Sequence, residues 1–489
     1  MSMGIIAKQS IYNILSIALA FIIGAVNMLF LYPTFLGKEF QGLIVALLAN
    51  SNLIQPFVSF GVQHTLIKYF SDSKTQIQRD RLLWFSLLLP LVIISIIIPL
   101  YFYFNIQILD FLTNSNKIVI GFPVLILAIA ISTAYFEIFF SWLRVHLQSV
   151  FGNFLKEVYP RFLTFILLIS FAFELIDLDK FILFLIIGYY FRLLIIALYS
   201  FYVYTPKFEF KLPQAWLSML KYSSLIFLSG AAASFILDID KSMIYTLTSN
   251  ENVAFYAVAL YIAAVIEAPG RAMFQITSPL IAKALNKNDT KRLEVLLKKS
   301  SINLMIVSGF VFLIINLNLN DFYLIINQEG YSSAARVVII VSMGKFFSMS
   351  MGCLNNIISN SKYYTYVFWF SIISAFLAVV LNYSFIESYG IIGAAFATLM
   401  VILFINLCKI VLVSILFKIH PYSNKSLGII MSMIFIYLII SSVPSIIHPV
   451  LSIVLRSLMI LGLFMIPFFK FKWSSDIEAL FAKVKSRLF

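Results

Sequence analysis

Charged side chains are scarce in this sequence. Only 11% of its 489 residues are Asp, Glu, Lys or Arg, whereas a soluble domain averages about 25%. A folded chain with so few charges cannot present a surface that water solvates well. The shortage therefore excludes a water-soluble globular protein.

Cysteine and histidine are also rare. The two cysteines, Cys353 and Cys408, fall inside long apolar runs, so the chain offers no disulfide framework. The four histidines lie in separate segments, and no two of them have the spacing of metal ligands. There is no glycine-rich phosphate loop either. We expect no catalytic residues, no metal and no cofactor, and we predict that the protein is not an enzyme.

Apolar sequence fills most of the chain. Hydrophobic residues make up 62% of it, and the mean hydropathy is +0.99. Runs of roughly 20 apolar residues recur along the chain, and each can cross a bilayer core about 30 Å thick. Because lipid offers the backbone no hydrogen-bond partners, each run must be a helix. We predict an all-α integral membrane protein with about fourteen transmembrane helices, at residues 11–31, 41–63, 82–104, 121–143, 161–176, 181–203, 222–247, 253–276, 301–320, 333–356, 363–383, 390–413, 427–447 and 449–469.

The basic residues are concentrated in alternate loops. They follow the even-numbered spans, as at 68–81 and 283–299, whereas the other loops carry acids such as Asp177 and Glu329. Under the positive-inside rule both termini are then cytoplasmic, and a basic amphipathic tail after Ser475 is predicted to lie on the anionic inner leaflet. The net charge of +14 is spread over one membrane face, so it does not indicate a nucleic-acid partner.

Charged residues inside membrane spans are costly, and by default they suggest function. The stretch SFILDIDKSM contains Asp238, Asp240 and Lys241. Asp238 and Lys241 are three residues apart and are predicted to pair, as are Glu267 and Arg271, four residues apart. Such pairs could equally serve only to neutralise each other and join helices.

Other charges have no local partner. Arg192 and Lys345 lie near the predicted midplane with no acid within one turn of their own helix. Each therefore requires a partner on another helix or an anionic ligand. Arg336 and Arg456 lie near the outer interface, where a long side chain can extend its charge into water.

The chain also aligns weakly with itself. A shift of 213 residues places Lys8 on Lys221, Pro56 on Pro269, and Asn27 against Asp240. Two halves in the same orientation are the parallel repeat of a transporter, with substrate handled at their interface. The repeat predicts a six-helix lobe at 1–212, a second six-helix lobe at 213–416, and two further helices with the tail at 417–489.

Two stretches carry a family resemblance, GAVNMLFLYPTFLGKEFQGLI (24–44) and LDIDKSMIYTLTSNENVAFYAVALYIAAVIEAPG (237–270). They resemble the lipopolysaccharide and polysaccharide biosynthesis proteins of Bacteroidetes-like bacteria. These form the O-antigen flippase branch of the multidrug/oligosaccharidyl-lipid/polysaccharide exporter superfamily. The resemblance implies a V-shaped pair of six-helix bundles with two added helices in the bacterial inner membrane.

The same resemblance implies a cargo, an undecaprenyl-diphosphate-linked oligosaccharide that moves from the inner to the outer leaflet by alternating access. Its partners would be this cargo, membrane lipids and other glycan-assembly proteins. For the diphosphate we predict a cavity containing Arg192, Arg271, Lys345 and Lys241. Coupling to H⁺ or Na⁺, or gating, is assigned to four further residues, Asp238, Asp240, Glu267 and Asn27.

Two other functions are open at this point. One is cation-coupled multidrug export by the same fold, although the first three spans lack the membrane carboxylates expected of it. The other is a polytopic glycosyltransferase or polymerase, for which the outer loops are short. For the flippase we expect a helix kink at Pro269–Gly270, beside Arg271, where the freed backbone groups would face a cavity.

Overall fold

The computed structural model describes residues 2–70, 72–103, 122–146, 148–209, 211–443, 448–474 and 478. Within these residues the secondary structure is helical and no strand occurs. The α-helices are α1 (Ser2–Val26), α2 (Gly37–Ser59), α3 (Val62–Phe70), α4 (Gln76–Tyr103), α5 (Phe122–Val145), α6 (Ser149–Glu157), α7 (Tyr159–Ala172), α8 (Leu178–Val203), α9 (Trp216–Leu247), α10 (Asn250–Ala264), α11 (Ala268–Asn286), α12 (Thr290–Leu317), α13 (Leu319–Ile326), α14 (Ala335–Ser350), α15 (Leu354–Asn360), α16 (Thr365–Phe417), α17 (Asn424–Ser441) and α18 (Pro449–Phe471).

Ten helical stretches of the described chain are long and apolar enough to cross a membrane. Two of them, Leu15–Ser59 and Thr365–Phe417, each contain two of the predicted spans. The two predicted spans that remain correspond to α4 and to the short α7. The helical membrane fold is confirmed, whereas the count of fourteen spans stays a prediction. The amphipathic tail predicted after Ser475 lies almost wholly outside the described residues.

Proline and glycine residues interrupt the longest helical stretches. Between α1 and α2 the chain forms a π-helix, Asn27–Leu36, that contains Pro33, and proline removes a backbone donor from the helical pattern. In α16 the backbone departs from helical geometry at Gly390, where φ is 56°, a value that glycine adopts without steric cost. The predicted break near Pro269 is confirmed, because a 3-10 turn, Val265–Glu267, separates α10 from α11.

Residues 1–254 form one compact unit. Its central helix, α2, packs against α5 and α9, and α5 packs in turn against α3 and α8. Gly42 of α2 lies so close to the backbone of Asn250 that a Cβ atom would not fit. The unit therefore has a tightly packed helical interior, in which Trp142 is fully buried.

Residues 255–489 form the second compact unit. Here α12 packs against α11, α14, α17 and α18, and α14 packs against α16. The two C-terminal helices thus belong to the core of this unit, where Met305, Met433 and Phe464 meet. The predicted lobes at 1–212 and 213–416 follow the internal repeat and stay a prediction. By contacts, α9 belongs with the first unit, because it packs on α2.

Candidate functional site

Arg192 lies buried beside two aromatic rings, with 4% of its surface exposed. Its guanidinium carbon is 4.3 Å from the ring centroid of Phe136 and 4.6 Å from that of Tyr189. Its one hydrogen bond to the described residues runs from Nη2 to Thr133 Oγ1 at 3.4 Å, and its buried Nε donor has no partner there. A guanidinium has five N–H donors, so most of its hydrogen-bonding capacity is unused.

Glu137, the neighbour of Phe136 in sequence, forms its ion pair with a residue other than Arg192. Glu137 binds Lys156 of α6, with 2.7 Å between Oε1 and Nζ. Within the described residues no carboxylate lies within ion-pair distance of Arg192. The two rings stabilise the cation through their negative faces, but they do not neutralise it. The arrangement leaves a buried positive charge that can receive an anion.

The stretch SFILDIDKSM lies on α9, and its predicted local pair is confirmed. Lys241 Nζ is 2.6 Å from Asp238 Oδ1 and also donates to the carbonyl of Leu237. The second oxygen of Asp238 accepts a hydrogen bond from Asn52 Nδ2 of α2 at 3.2 Å. Asp238 therefore orients its own helix and also joins it to α2.

Further side-chain hydrogen bonds join α9 to neighbouring helices. Ser242 donates to Asn50 of α2 at 2.6 Å, and Ser223 is 2.6 Å from Thr65 of α3. We call these two bonds, together with that from Asn52 to Asp238, the α9 polar contact. Sequence reasoning did not select its asparagines or hydroxyls, although two asparagines within one apolar run were an available signal.

Asp240 and Asn27 lie buried in different surroundings. Asp240 is 5% exposed, and its Oδ1 accepts a hydrogen bond from the backbone of Lys241 at 2.8 Å. Asn27 begins the π-helix and donates to the backbone carbonyl of Arg161 at 2.7 Å. The side-chain oxygen of Asn27, Oδ1, has no hydrogen-bond partner among the described residues. The proposed coupling or gating roles of both residues stay predictions.

Glu267 pairs across helices, which corrects the predicted pairing with Arg271. Its Oε2 lies 2.9 Å from Nζ of Lys345 on α14. The 3-10 turn that ends at Glu267 interrupts the regular helical spacing on which the i,i+4 prediction depended. Lys345 therefore has the partner on another helix that its midplane position required. Arg271 is exposed and makes no hydrogen bond or ion pair with the described residues.

The prediction that the Arg456 side chain extends its charge into water was wrong. Its Nη1 is 2.9 Å from Asp321 Oδ2, and Nη2 donates to the carbonyl of Val443. Asp321 is 1% exposed and also accepts from Ser452. A buried carboxylate on α13 supplies the partner, because α13 packs on α18. Asp321 directly follows the predicted span 301–320, a position from which the sequence predicts an outer loop.

Lys409 of α16 was not selected from the sequence, although it falls inside a predicted span. It is half-buried and makes no hydrogen bond or ion pair with the described residues. Groups of three or more His, Cys, Asp or Glu side chains that could hold a metal ion are likewise not found in the described part of the chain.

Comparison with protein families matches residues 6–269 to the family described as polysaccharide biosynthesis protein. Residues 226–384 match the MatE family. Among curated proteins, no sequence matches this chain.

Solved structures match over most of the chain. A structure titled "Lipid II flippase MurJ, inward closed conformation" has a TM-score of 0.70 at 15% identity, covering 95% of this chain and 99% of its own. An inward-facing multidrug resistance MATE family transporter of the MOP superfamily has a TM-score of 0.59 at 13% identity, covering 84% and 96%. The MATE multidrug transporter DinF-BH has a TM-score of 0.56 at 11% identity, covering 84% and 95%. At such identities the likeness establishes the fold.

Proposed function

The chain belongs to the polysaccharide biosynthesis protein family and has the fold of the MOP exporter superfamily, and from this premise we propose that it is a flippase for a lipid-linked oligosaccharide. The cargo is an undecaprenyl-diphosphate-linked unit of O-antigen, capsule or exopolysaccharide. It moves from the inner to the outer leaflet of the bacterial inner membrane. The protein acts as a transporter and not as an enzyme, and both of its termini are cytoplasmic.

The observation that supports this cargo best is the environment of Arg192. The diphosphate is the part of such a lipid that a bilayer core excludes most strongly, because it carries full charges. A buried guanidinium with no carboxylate partner among the described residues can offer it charge-assisted and bidentate hydrogen bonds. Phe136 and Tyr189 both contact the planar cation, so little side-chain freedom is lost when the anion binds.

The pair of Glu267 and Lys345 supports a mechanism for coupling. With the carboxylate ionised, the ammonium is held 2.9 Å away and is not available to cargo. Protonation of Glu267 would release Lys345 toward the diphosphate, and return of the negative carboxylate would favour cargo release. H⁺ or Na⁺ bound at Glu267 would release Lys345 in this way, and Arg271 is the exposed cation that meets the cargo near the helix break. Lys241, already bound to Asp238, contributes to orientation.

Multidrug export is the second candidate, favoured by the match of residues 226–384 to the MatE family. A cationic drug would be repelled by a buried Arg192, whereas a diphosphate would be attracted. The two functions therefore predict opposite preferences for the charge of the transported molecule.

Transport by the purified protein in liposomes tests the proposal. The probe is a fluorescent polyprenyl-diphosphate N-acetylglucosamine, and an impermeant quencher reports which leaflet holds it. The wild-type protein should move the probe, and Arg192→Gln should slow that movement at equal protein content. Transport of a cationic dye with no movement of the diphosphate probe would instead identify a drug exporter.

A further inference from the structure

A polar cavity lies between α13 and α14 of the second unit. Its volume is about 600 Å³, which falls within the range of about 300–1,000 Å³ for ligand sites. The lining residues are Asn320, Tyr323, Leu324, Asn327, Gln328, Glu329, Ser332 and Ala335. In the predicted topology Gln328 lies on the outer face, where a flipped headgroup arrives.

Tyr323 lines the cavity and is 7% exposed. Its hydroxyl is buried and makes no hydrogen bond with the described residues, so the OH group does not face the cavity. The polar groups that a ligand can reach are therefore those of the more exposed lining residues.

The rim carries amides and one acid. The side chains of Asn320, Asn327, Gln328 and Glu329 make no hydrogen bond with the described residues. Amides, which donate and accept hydrogen bonds, and a carboxylate, which accepts them, suit the hydroxyls of a sugar. No Lys or Arg is among the lining residues, so the cavity offers a phosphate no counter-charge.

Contacts of neighbouring residues fix the lining of the cavity in place. Asp321, one residue from the lining, is fixed to α18 by Arg456 and Ser452. Asn327 ends α13 with φ at 48°, and the ring of Tyr331 packs edge-on against Phe255 at 5.0 Å. The lining is therefore pre-organised, which lowers the entropy lost when a flexible glycan binds.

We propose that this cavity is a binding site for the neutral sugars of the cargo, separate from the diphosphate site at Arg192. The inference rests on the proposed function and on the predicted outer location of the loop. Diphosphate and sugars are then recognised by different chemistry. Cations bind the diphosphate, whereas amides and a carboxylate bind the sugars.

Photo-crosslinking to the native cargo in cells tests the sugar site. Leu324 lines the cavity and is 61% exposed, so a benzoyl-phenylalanine placed there should capture the glycan. Carbohydrate fragment ions on the crosslinked peptide identify the adduct by mass spectrometry. The same probe at Leu427, which is 65% exposed and predicted to lie on the opposite face, should give no such adduct.

Two side-chain deletions measure the contribution of the cavity. Gln328→Ala removes one lining amide, and Asn327→Gly removes another while permitting the left-handed backbone. Each should lower the adduct yield roughly two- to tenfold, the range that one neutral hydrogen bond gives. Asn288→Gly, at another residue with positive φ (52°), should leave the yield unchanged.

The outcomes separate the two proposals. An adduct without sugar, or a yield unaffected by both deletions, overturns the sugar site while Arg192-dependent flipping still supports the transporter. If Arg192→Gln leaves flipping of the diphosphate probe unchanged, the proposed diphosphate flippase fails instead.

Discussion

Replacing Arg192 with glutamine should slow transport strongly and leave the protein in the membrane. The change removes one hydrogen bond of 3.4 Å and two ring contacts, interactions of about 0.5–2 kcal/mol each. It also removes the cost of burying a charge without a carboxylate, which is several kcal/mol. The opposing contributions nearly cancel, so folding stability should change by no more than about 2 kcal/mol.

The effect on transport should be larger. A charge-assisted hydrogen bond to phosphate contributes about 1.5–3 kcal/mol, and each 1.36 kcal/mol is about tenfold in rate. Loss of a single such bond should slow flipping roughly 10- to 150-fold in the liposome assay. Arg192→Lys keeps the charge but loses bidentate geometry and ring stacking, so it should retain part of the rate.

Arg456 provides a matched control, because it is also an arginine in a membrane helix but has a buried partner. Arg456→Gln leaves Asp321 buried and unpaired, a loss of about 3–5 kcal/mol, and should lower membrane abundance and melting temperature. Joint replacement of Arg456 by Met and of Asp321 by Asn should restore both. If Arg192→Gln reduces abundance as strongly as Arg456→Gln does, Arg192 is a packing element and the reasoning about cargo is refuted.

Three further predictions concern topology, pairing and coupling. Reporter fusions at Gln328 and Asn288 should label opposite membrane faces, and labelling of the same face would remove the predicted orientation. Lys345→Ala should reduce abundance because it leaves Glu267 unpaired, and Glu267→Gln combined with Lys345→Met should recover abundance but not flipping. Full transport by the double variant would contradict the proposed coupling through release of Lys345 from Glu267. Asp240→Asn should slow flipping in liposomes and alter its response to an imposed pH gradient, whereas an unaltered response would argue for a structural role.

The helical membrane fold was predictable because hydropathy is a local property of the chain. Runs of about 20 apolar residues require helices in lipid whatever they pack against. The break near Pro269 was predictable for the same reason, since proline acts on its own helix. The number of spans is harder to predict, because α7 has only 14 residues and α4 ends beside residues outside the described chain.

Side-chain pairing was predictable only at short range. Asp238 and Lys241 are three residues apart on a regular helix, so their contact follows from helical geometry alone. Glu267 and Lys345 are 78 residues apart, and their contact depends on how α14 packs against the 3-10 turn. The aromatic contacts of Arg192 likewise arise between α5 and α8. Contacts of this kind follow from tertiary packing, which spacing in a sequence does not encode.

The polar residues of α9 suit a helix–helix contact that forms and breaks, as the proposed alternating access requires. In lipid the hydrophobic effect does not drive helices together, so packing and polar contacts decide their association. Each interhelical hydrogen bond contributes about 0.6 kcal/mol on average, so the three bonds of the α9 polar contact together contribute about 2 kcal/mol. That corresponds to a factor of about 30 in a population, which a cargo or coupling ion with modest differential affinity can reverse. Asp238 and Lys241 lie on this helix as an ion pair, so separation of α9 from α2 leaves neither of these two charges without its partner.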